Sequence, residues 1–354
     1  MQVSNIINDN LIVQVDWLEF TIKTISEHKD VILLMGLDIS DFNLMDKGGI
    51  GYKRLMIHNT YNIKIYYDGS QDMGVHVSVS GSAVHFALES FSRTLREITP
   101  FGESYNIPFE YDVSNILPYY LKEICKYGTF SRIDLAVDDY GCNYFSIDDV
   151  VDLLVNKSCV SQFRNWRNLC ENTLLGEKTG HTVYMGSRKS EIYLRVYDKR
   201  LEQNKGIFDD DKKINMDWIR WELELKGDKA NEVVKMLIDK QNGGVVCIGI
   251  LSRYVRFINL DNNNRSRCTT NAVWSKFIGN IAPLKISVPQ TEKTLDMKEE
   301  WYKRQLAPTV AGIVYAHHGD LSIITDNFVD NFDRLSKETK KMFEKARIEN
   351  ERNP

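Results

Sequence analysis

The 354-residue chain is poor in proline, with seven, and has no low-complexity tract, which excludes long disordered linkers. It lacks any cysteine pair with zinc-site spacing: Cys125, Cys142, Cys159, Cys170, Cys247 and Cys268 are scattered, with no C-x-x-C among them. An even cysteine count is compatible with disulfides, but a chain of this length buries enough core to need no staples. With no signal peptide in view, reduced thiols and a cytoplasmic location are expected. No apolar run is long enough to cross a bilayer; the nearest, residues 31–37, is a short core segment. Excess positive charge is also missing. The balance of 45 Lys+Arg against 49 Asp+Glu gives −4, so any nucleic acid would be held by local basic patches and not by the mean field. What is present is a globular composition, 43% hydrophobic and 27% charged.

Hydrophobic periodicity organises the chain. In residues 15–22, Leu18, Phe20 and Ile22 alternate with Trp17, Glu19 and Thr21, the period of a strand. Further strands are expected over 52–58, 61–67 and 75–79, the first after a glycine turn and the last ended by Gly81. Val84, Leu88, Phe91 and Leu95 predict a helix over 82–97, and another is expected over 115–126. A strand over 131–138 follows, then a helix to about residue 155 opened by a capping box, Ser146 with Asp149. Strands are expected over 182–186, 191–199 and 218–225, and a helix over 228–239. Turn-bounded strands with interspersed helices predict an α+β fold, a largely antiparallel central sheet with packed helices. The character changes after Asn242-Gly243-Gly244, which divides the chain into a catalytic domain, 1–244, and a C-terminal region, 245–354, expected to be mainly helical and to serve DNA recognition. Within that region a helix break is expected near Pro308 and Gly319, and His317-His318 is a helix end, since adjacent helical residues do not share a face.

Three strands carry chemistry. Glu191, Tyr193, Arg195, Tyr197 and Lys199 share one face of theirs, with Ile192, Leu194 and Val196 opposite. Taken alone, such a row is an ordinary solvated sheet face. Arg132, Asp134 and Asp138 share a face of the second strand, and Arg220, Glu222 and Glu224 a face of the third. If the three are neighbours, Asp134, Glu191 and Glu222 converge beside Tyr197 as an all-oxygen site suited to Mg²⁺ or Mn²⁺. Such an ion polarises a phosphodiester. A tyrosine hydroxyl, with an ordinary pKa of about 10, is a weak nucleophile while protonated. Lys199 or Arg195 beside Tyr197 is expected to favour the phenolate and to hold a phosphate. DNA-binding candidates lie in two basic stretches: Arg188, Lys189 and Arg200 around the same strand, and Arg253, Arg256, Arg265 and Arg267, with Tyr193, Tyr197, Tyr254 and Phe257 interleaved as stacking groups.

Three blocks resemble those of the replication initiation factor family, which comprises Gram-positive rolling-circle plasmid initiators and the MOBT relaxases of conjugative elements. They are Phe130-Ser131-Arg132-Ile133-Asp134-Leu135-Ala136-Val137-Asp138, the stretch 184–199 ending in Tyr197-Asp198-Lys199, and Trp218-Ile219-Arg220-Trp221-Glu222-Leu223-Glu224-Leu225-Lys226. The resemblance implies a fold similar to that of the histidine-based nicking endonucleases, with acids in place of histidines; no His-hydrophobic-His pair occurs here. It implies that Tyr197 attacks the scissile phosphate to give a 5′-phosphotyrosine and a free 3′-OH. Asp134, Glu191 and Glu222 would be the metal ligands, and Lys199 and Arg195 the phosphate contacts. The expected partners are single-stranded or cruciform DNA at a replication or transfer origin, a host helicase and a second copy of the chain, with no membrane. Some relatives carry an N-terminal helix-turn-helix, and this chain starts close to the first catalytic strand, so origin recognition is expected elsewhere. Initiation of rolling-circle replication is the first expectation, a conjugative relaxase the second, and a non-catalytic DNA-binding protein the alternative of another class. The stretch 301–311 resembles the relaxase branch. A tyrosine recombinase is excluded: there is no His-x-x-Arg, and Tyr197 is mid-chain.

Overall fold

The computed structural model describes residues 5–8, 11–98, 113–207, 209–240, 242–287, 295–322, 324–325, 331 and 334–352. By compactness the chain forms two units, Met1–Val288 and Pro289–Pro354.

The first unit is built on one antiparallel sheet. Its strands in chain order are β1 (Asn5–Asn8), β2 (Leu11–Ile22), β3 (Phe42–Met45), β4 (Arg54–His58), β5 (Ile63–Tyr67), β6 (Val75–Ser80), β7 (Gly128–Tyr140), β9 (Trp166–Asn172), β10 (Lys178–Met185), β11 (Ile192–Asp198) and β12 (Trp218–Lys226). In space they run β3-β4-β5-β6-β2-β7-β12-β11-β10-β9, with β1 on β2. A short pair, β8 (Cys159–Ser161) with β13 (Val255–Phe257), stands apart. The helices of this unit are α1 (His28–Leu34), α2 (Ser82–Ile98), α3 (Val113–Tyr127), α4 (Ile147–Val155), α5 (Lys199–Asn204), α6 (Gly227–Lys240), α7 (Gly243–Tyr254) and α8 (Ala272–Ile278). The α+β expectation holds. The capping box also forms: the Ser146 hydroxyl accepts from Asp149 N–H, and the Asp149 carboxylate accepts from Ser146 N–H.

Alternation gives the sheet two unlike faces. Ile133, Leu135 and Val137 of β7, Trp221, Leu223 and Leu225 of β12, and Ile192, Leu194 and Val196 of β11 belong to one buried core. Against it pack α3, α6 and α7. In β2 the apolar phase slips, from Leu11, Val13 and Val15 to Leu18, Phe20 and Ile22. A β-bulge between Val15 and Trp17 absorbs the slip, so both halves face the core. The extra residue, Asp16, is thereby turned to the polar face, where it meets Arg220.

The first unit extends well past the composition change at Gly244. The apolar run 245–251 lies within α7, almost wholly buried, and its Asn242 cap accepts from Val245 N–H. Beyond it, Phe257, Trp274 and Phe277 join Phe145 around Trp221. The division expected at 244/245 therefore falls inside this unit, because α7 to α8 complete the core. The second unit is helical: α9 (Leu295–Trp301), a π-turn, α10 (Ala307–Ala316) and α11 (Lys337–Arg352). Pro308 sits in the first turn of α10, which has no backbone N–H to lose, and His317 caps its end. All six cysteines are free thiols. Among the described residues, no helix is long and apolar enough to cross a membrane.

Trp221 joins α8 to the sheet at the centre of that aromatic cluster. Trp221→Ala is expected to lower the unfolding free energy by about 3–5 kcal/mol in denaturant titration; a loss under about 1 kcal/mol would contradict a close-packed cluster.

Candidate active site

The polar face of β7, β12 and β11 is ordered by register. Tyr197 pairs with Arg220, which pairs with Asp138; Arg195 with Glu222, and that with Ala136; Tyr193 with Glu224, and that with Asp134. Directly opposed residues share a face, so these nine form a three-by-three grid. Ala136, the one small residue, lies in the row of Arg195 and Glu222 and leaves room for their longer side chains.

Tyr197 is only 7% exposed. Its hydroxyl donates to Glu222 Oε2 at 2.8 Å and accepts from Lys199 Nζ at 3.5 Å. Burial pushes the phenol well above its ordinary pKa, and the Glu222 charge pushes it further. The expected phenolate is therefore not the resting form: desolvation outweighs the nearby cations, and the proton is shared towards Glu222. Lys199 also departs from the expected strand alternation. The strand ends at Asp198, whose side chain accepts from Leu201 N–H and caps α5, so Lys199 opens that helix. Its side chain folds back over the Tyr197 ring, 5.4 Å from the centroid, and pairs with Glu202.

Arg195 bonds Glu222 Oε1 and lies 3.8 Å from Asp134 Oδ2, while its buried Nε has no hydrogen-bond partner among the described residues. Asp134, fully buried, is clasped by Arg132 through Nε at 2.8 Å and Nη2 at 2.5 Å. Arg132 reaches Glu224 at 3.0 Å, and Lys226 holds the other Glu224 oxygen at 2.5 Å. Burial, with the Glu222 and Glu224 charges adding, raises the Asp134 carboxyl to about 8 against the pull of Arg132.

The expected carboxylate set does not assemble as Asp134, Glu191 and Glu222. Glu191 is exposed and precedes the first residue of β11. Its Oε1 accepts from Asp228 N–H at 3.3 Å, capping α6. The acid that shares the grid is Glu224. Asp134, Glu222 and Glu224 stand on adjacent strands and offer hard oxygen donors of the kind a divalent cation takes, with the Asp134 carboxyl raised chiefly by burial. Their oxygens are bridged by Arg132 and Arg195, and among the described residues no three His, Cys, Asp or Glu side chains close around a metal position.

The basic residues divide. Arg188 and Lys189 lie exposed in the β10–β11 turn, and the Arg188 guanidinium sits 5.8 Å from the Tyr193 ring centroid. Tyr193 stacks on Tyr184 and accepts a hydrogen bond from Arg167. Arg167 escaped the sequence analysis because its strand, β9, is exposed along nearly all its length and shows no alternation. Arg200 is tied to Asp198 and Asp217. The second basic stretch lies across the sheet from Tyr197, since Phe257 packs on Trp221, on the apolar face of β12. There Arg256 binds the Cys268 and Ser266 carbonyls and staples its own loop, while Arg265 binds those of Lys157 and Cys159 and ties that loop to the start of β8. Arg253 and Arg267 are exposed.

Also missed was the structural role of Arg220 and Asp138. Arg220 is clasped by Asp138 at 2.7 and 2.8 Å and bonds Asp16 at 2.5 Å. Trp218 and Gln14 complete the Asp138 shell.

An acid that keeps its proton to about pH 8 when folded, against 3.8 in the open chain, makes stability fall as pH rises between those values and level off above them. Asp134→Asn removes that proton exchange. Between pH 5 and 8 its unfolding free energy is expected to decline less than the parent's, by more than about 1 kcal/mol. Parallel pH profiles in denaturant titration would refute the raised carboxyl.

The profile of the replication initiation factor family matches residues 128–329, which span the three strands of the grid. The protein named DNA relaxase NicK of Bacillus subtilis (strain 168) is 28% identical over 315 residues, covering 86% of this chain and 82% of that protein. The structure of the rolling circle replication initiator protein from Geobacillus stearothermophilus superposes with a TM-score of 0.60 at 26% identity, covering 79% of this chain and all of that one. The chain belongs to the replication initiation factor family.

Proposed function

We propose that this chain nicks one DNA strand at an origin and stays attached to it through Tyr197, starting rolling-circle replication. The observation that carries the reading is the Tyr197 hydroxyl set between a carboxylate at 2.8 Å and an ammonium at 3.5 Å. Glu222 takes the phenolic proton as the tyrosine oxygen bonds to phosphorus. The bond from phosphorus to the 3′ oxygen breaks, and that oxygen leaves as a hydroxyl after gaining a proton, with Lys199 the nearest donor. The phosphodiester energy is kept in the 5′-phosphotyrosine, so the reverse attack by a 3′-OH reseals the strand. The unpaired Arg195 Nε is a donor for a phosphate oxygen. Arg167, Arg188, Tyr184 and Tyr193 offer cations and ring faces to unpaired DNA leading to the site. A freed 3′-OH primes synthesis only as the strand ahead is opened, which is where a host helicase would act. A conjugative relaxase needs the same nick, and the match to NicK over most of both chains favours this second reading.

Purified chain incubated with single-stranded origin DNA and Mg²⁺ or Mn²⁺ is expected to give a covalent protein–DNA band in denaturing gels. Tyr197→Phe abolishes it and Tyr193→Phe retains it; an adduct from Tyr197→Phe sinks the assignment. Plasmid replication against mobilisation of a transfer origin, each with Tyr197→Phe as control, separates initiator from relaxase.

A divalent cation, Mg²⁺ or Mn²⁺, would be held by Asp134, Glu222 and Glu224 and would neutralise charge at the phosphodiester. Mn²⁺ titration followed by electron paramagnetic resonance is expected to show at least about tenfold weaker binding in Glu224→Gln and no change in Glu191→Gln, in keeping with loss of one of three carboxyl ligands. Equal affinities in the two variants would remove Glu224 from the set.

A further inference from the structure

A cavity of about 510 Å³ opens beside the nucleophile, where β6 ends, α2 begins and β11 passes into α5. Its walls include Lys199, which donates to the Tyr197 hydroxyl, and Arg220, the cross-strand neighbour of Tyr197. The volume is in the range of small-molecule pockets, about 300–1,000 Å³. Aromatic and neutral polar groups line it, with the Asp16 and Glu89 carboxylates also on its wall. Aromatic faces come from Phe86, stacked on Tyr61 at 3.9 Å, and from Trp218, stacked on Tyr140 at 4.7 Å. Edge hydrogen-bonding groups come from His85 and Gln203. His85 Nδ1 is buried and has no hydrogen-bond partner among the described residues.

We infer that this cavity is a pocket for the nucleobase of a nucleotide flanking the scissile phosphate, turned out of the strand and read through its edge. The inference rests on the nicking reading above. A base needs a π surface and a hydrogen-bonding edge at once, which is the pairing the walls offer. The nearby Asp16 charge is already neutralised by Arg220 and does not repel a backbone passing to Lys199. Held there, the base fixes the adjoining phosphate against Tyr197, so the pocket contributes sequence preference at the nick as well as alignment.

Two measurements test this separately from the chemistry. In the first, the parent chain forms its covalent adduct on single-stranded origin oligonucleotides carrying an abasic site immediately 5′ or 3′ of the scissile phosphate. One of the two positions is expected to lower kcat/KM at least about tenfold, as loss of one stacked base would. His85→Ala should lower kcat/KM on intact DNA by a similar factor and change little on that abasic substrate. In the second, 2-aminopurine replaces the same base and its fluorescence is read on non-covalent binding to Tyr197→Phe. Quenching is expected at that position and should be lost when His85→Ala is added. Adduct formation that ignores both abasic sites, with no quenching at either position, overturns the pocket while leaving the nickase intact. Quenching without any adduct from the parent chain leaves the pocket standing and overturns the nicking reading instead.

Discussion

The site depends on one buried ion network. Arg220, 3% exposed, gives three donors to Asp138 and Asp16, and Trp218 and Gln14 fill the remaining acceptor capacity of Asp138. A buried guanidinium with a missing partner is costly, so this contact tolerates only one alignment of β12 against β7 and β2. A slip of one residue would turn Arg220 into the core and Trp221 out of it. With the register fixed, Glu222 follows two residues on, opposite Arg195, and Tyr197 stands opposite Arg220 itself.

That constraint explains the bulge in β2. A strand with regular alternation would send either Leu11, Val13 and Val15 or Leu18, Phe20 and Ile22 to the wrong face. Inserting Asp16 as the unpaired residue reconciles both apolar sets and delivers a carboxylate to Arg220. The same residue therefore corrects the core and completes the network beneath Tyr197.

Much of the site was legible because β7, β11 and β12 alternate cleanly, and alternation alone places Asp134, Arg195, Tyr197 and Glu222 on one face. The rest was hidden for distinct physical reasons. Alternation assumes the strand continues, yet Asp198 finds a better use as a helix cap, and so Lys199 reaches Tyr197 from α5 and not along the row. Glu191 looks like a fifth member of that row but meets the start of α6, where backbone N–H groups lack partners. Arg256 and Arg265 look like a phosphate-binding patch by composition, but their guanidinium groups satisfy loop carbonyls. Sequence shows charge and not what the charge is already bonded to. The fold class was legible throughout. The boundary near residue 244 was not, because the glycines that signal a linker there cap and open a buried helix.

Partners also separate the two tyrosines that share the β11 face. The Tyr193 hydroxyl accepts from Arg167, its ring stacks on Tyr184, and the acid opposite it, Glu224, is occupied by Arg132 and Lys226. No carboxylate is bonded to it that would take its proton, and what it offers is a ring face flanked by guanidinium groups. Tyr197 has the reverse endowment, a carboxylate bonded to its hydroxyl and an ammonium behind. Its depth makes the phenol a poor acid, so on the proposed reading its activation would depend on what enters with the DNA. A phosphodiester drawn against Arg195 would compete with Glu222 for that guanidinium. A Glu222 carboxylate released from Arg195 is a stronger base for the proton it already holds by a hydrogen bond. Substrate binding and activation of the nucleophile would then be the same event, which keeps the buried tyrosine inert until a strand is in place.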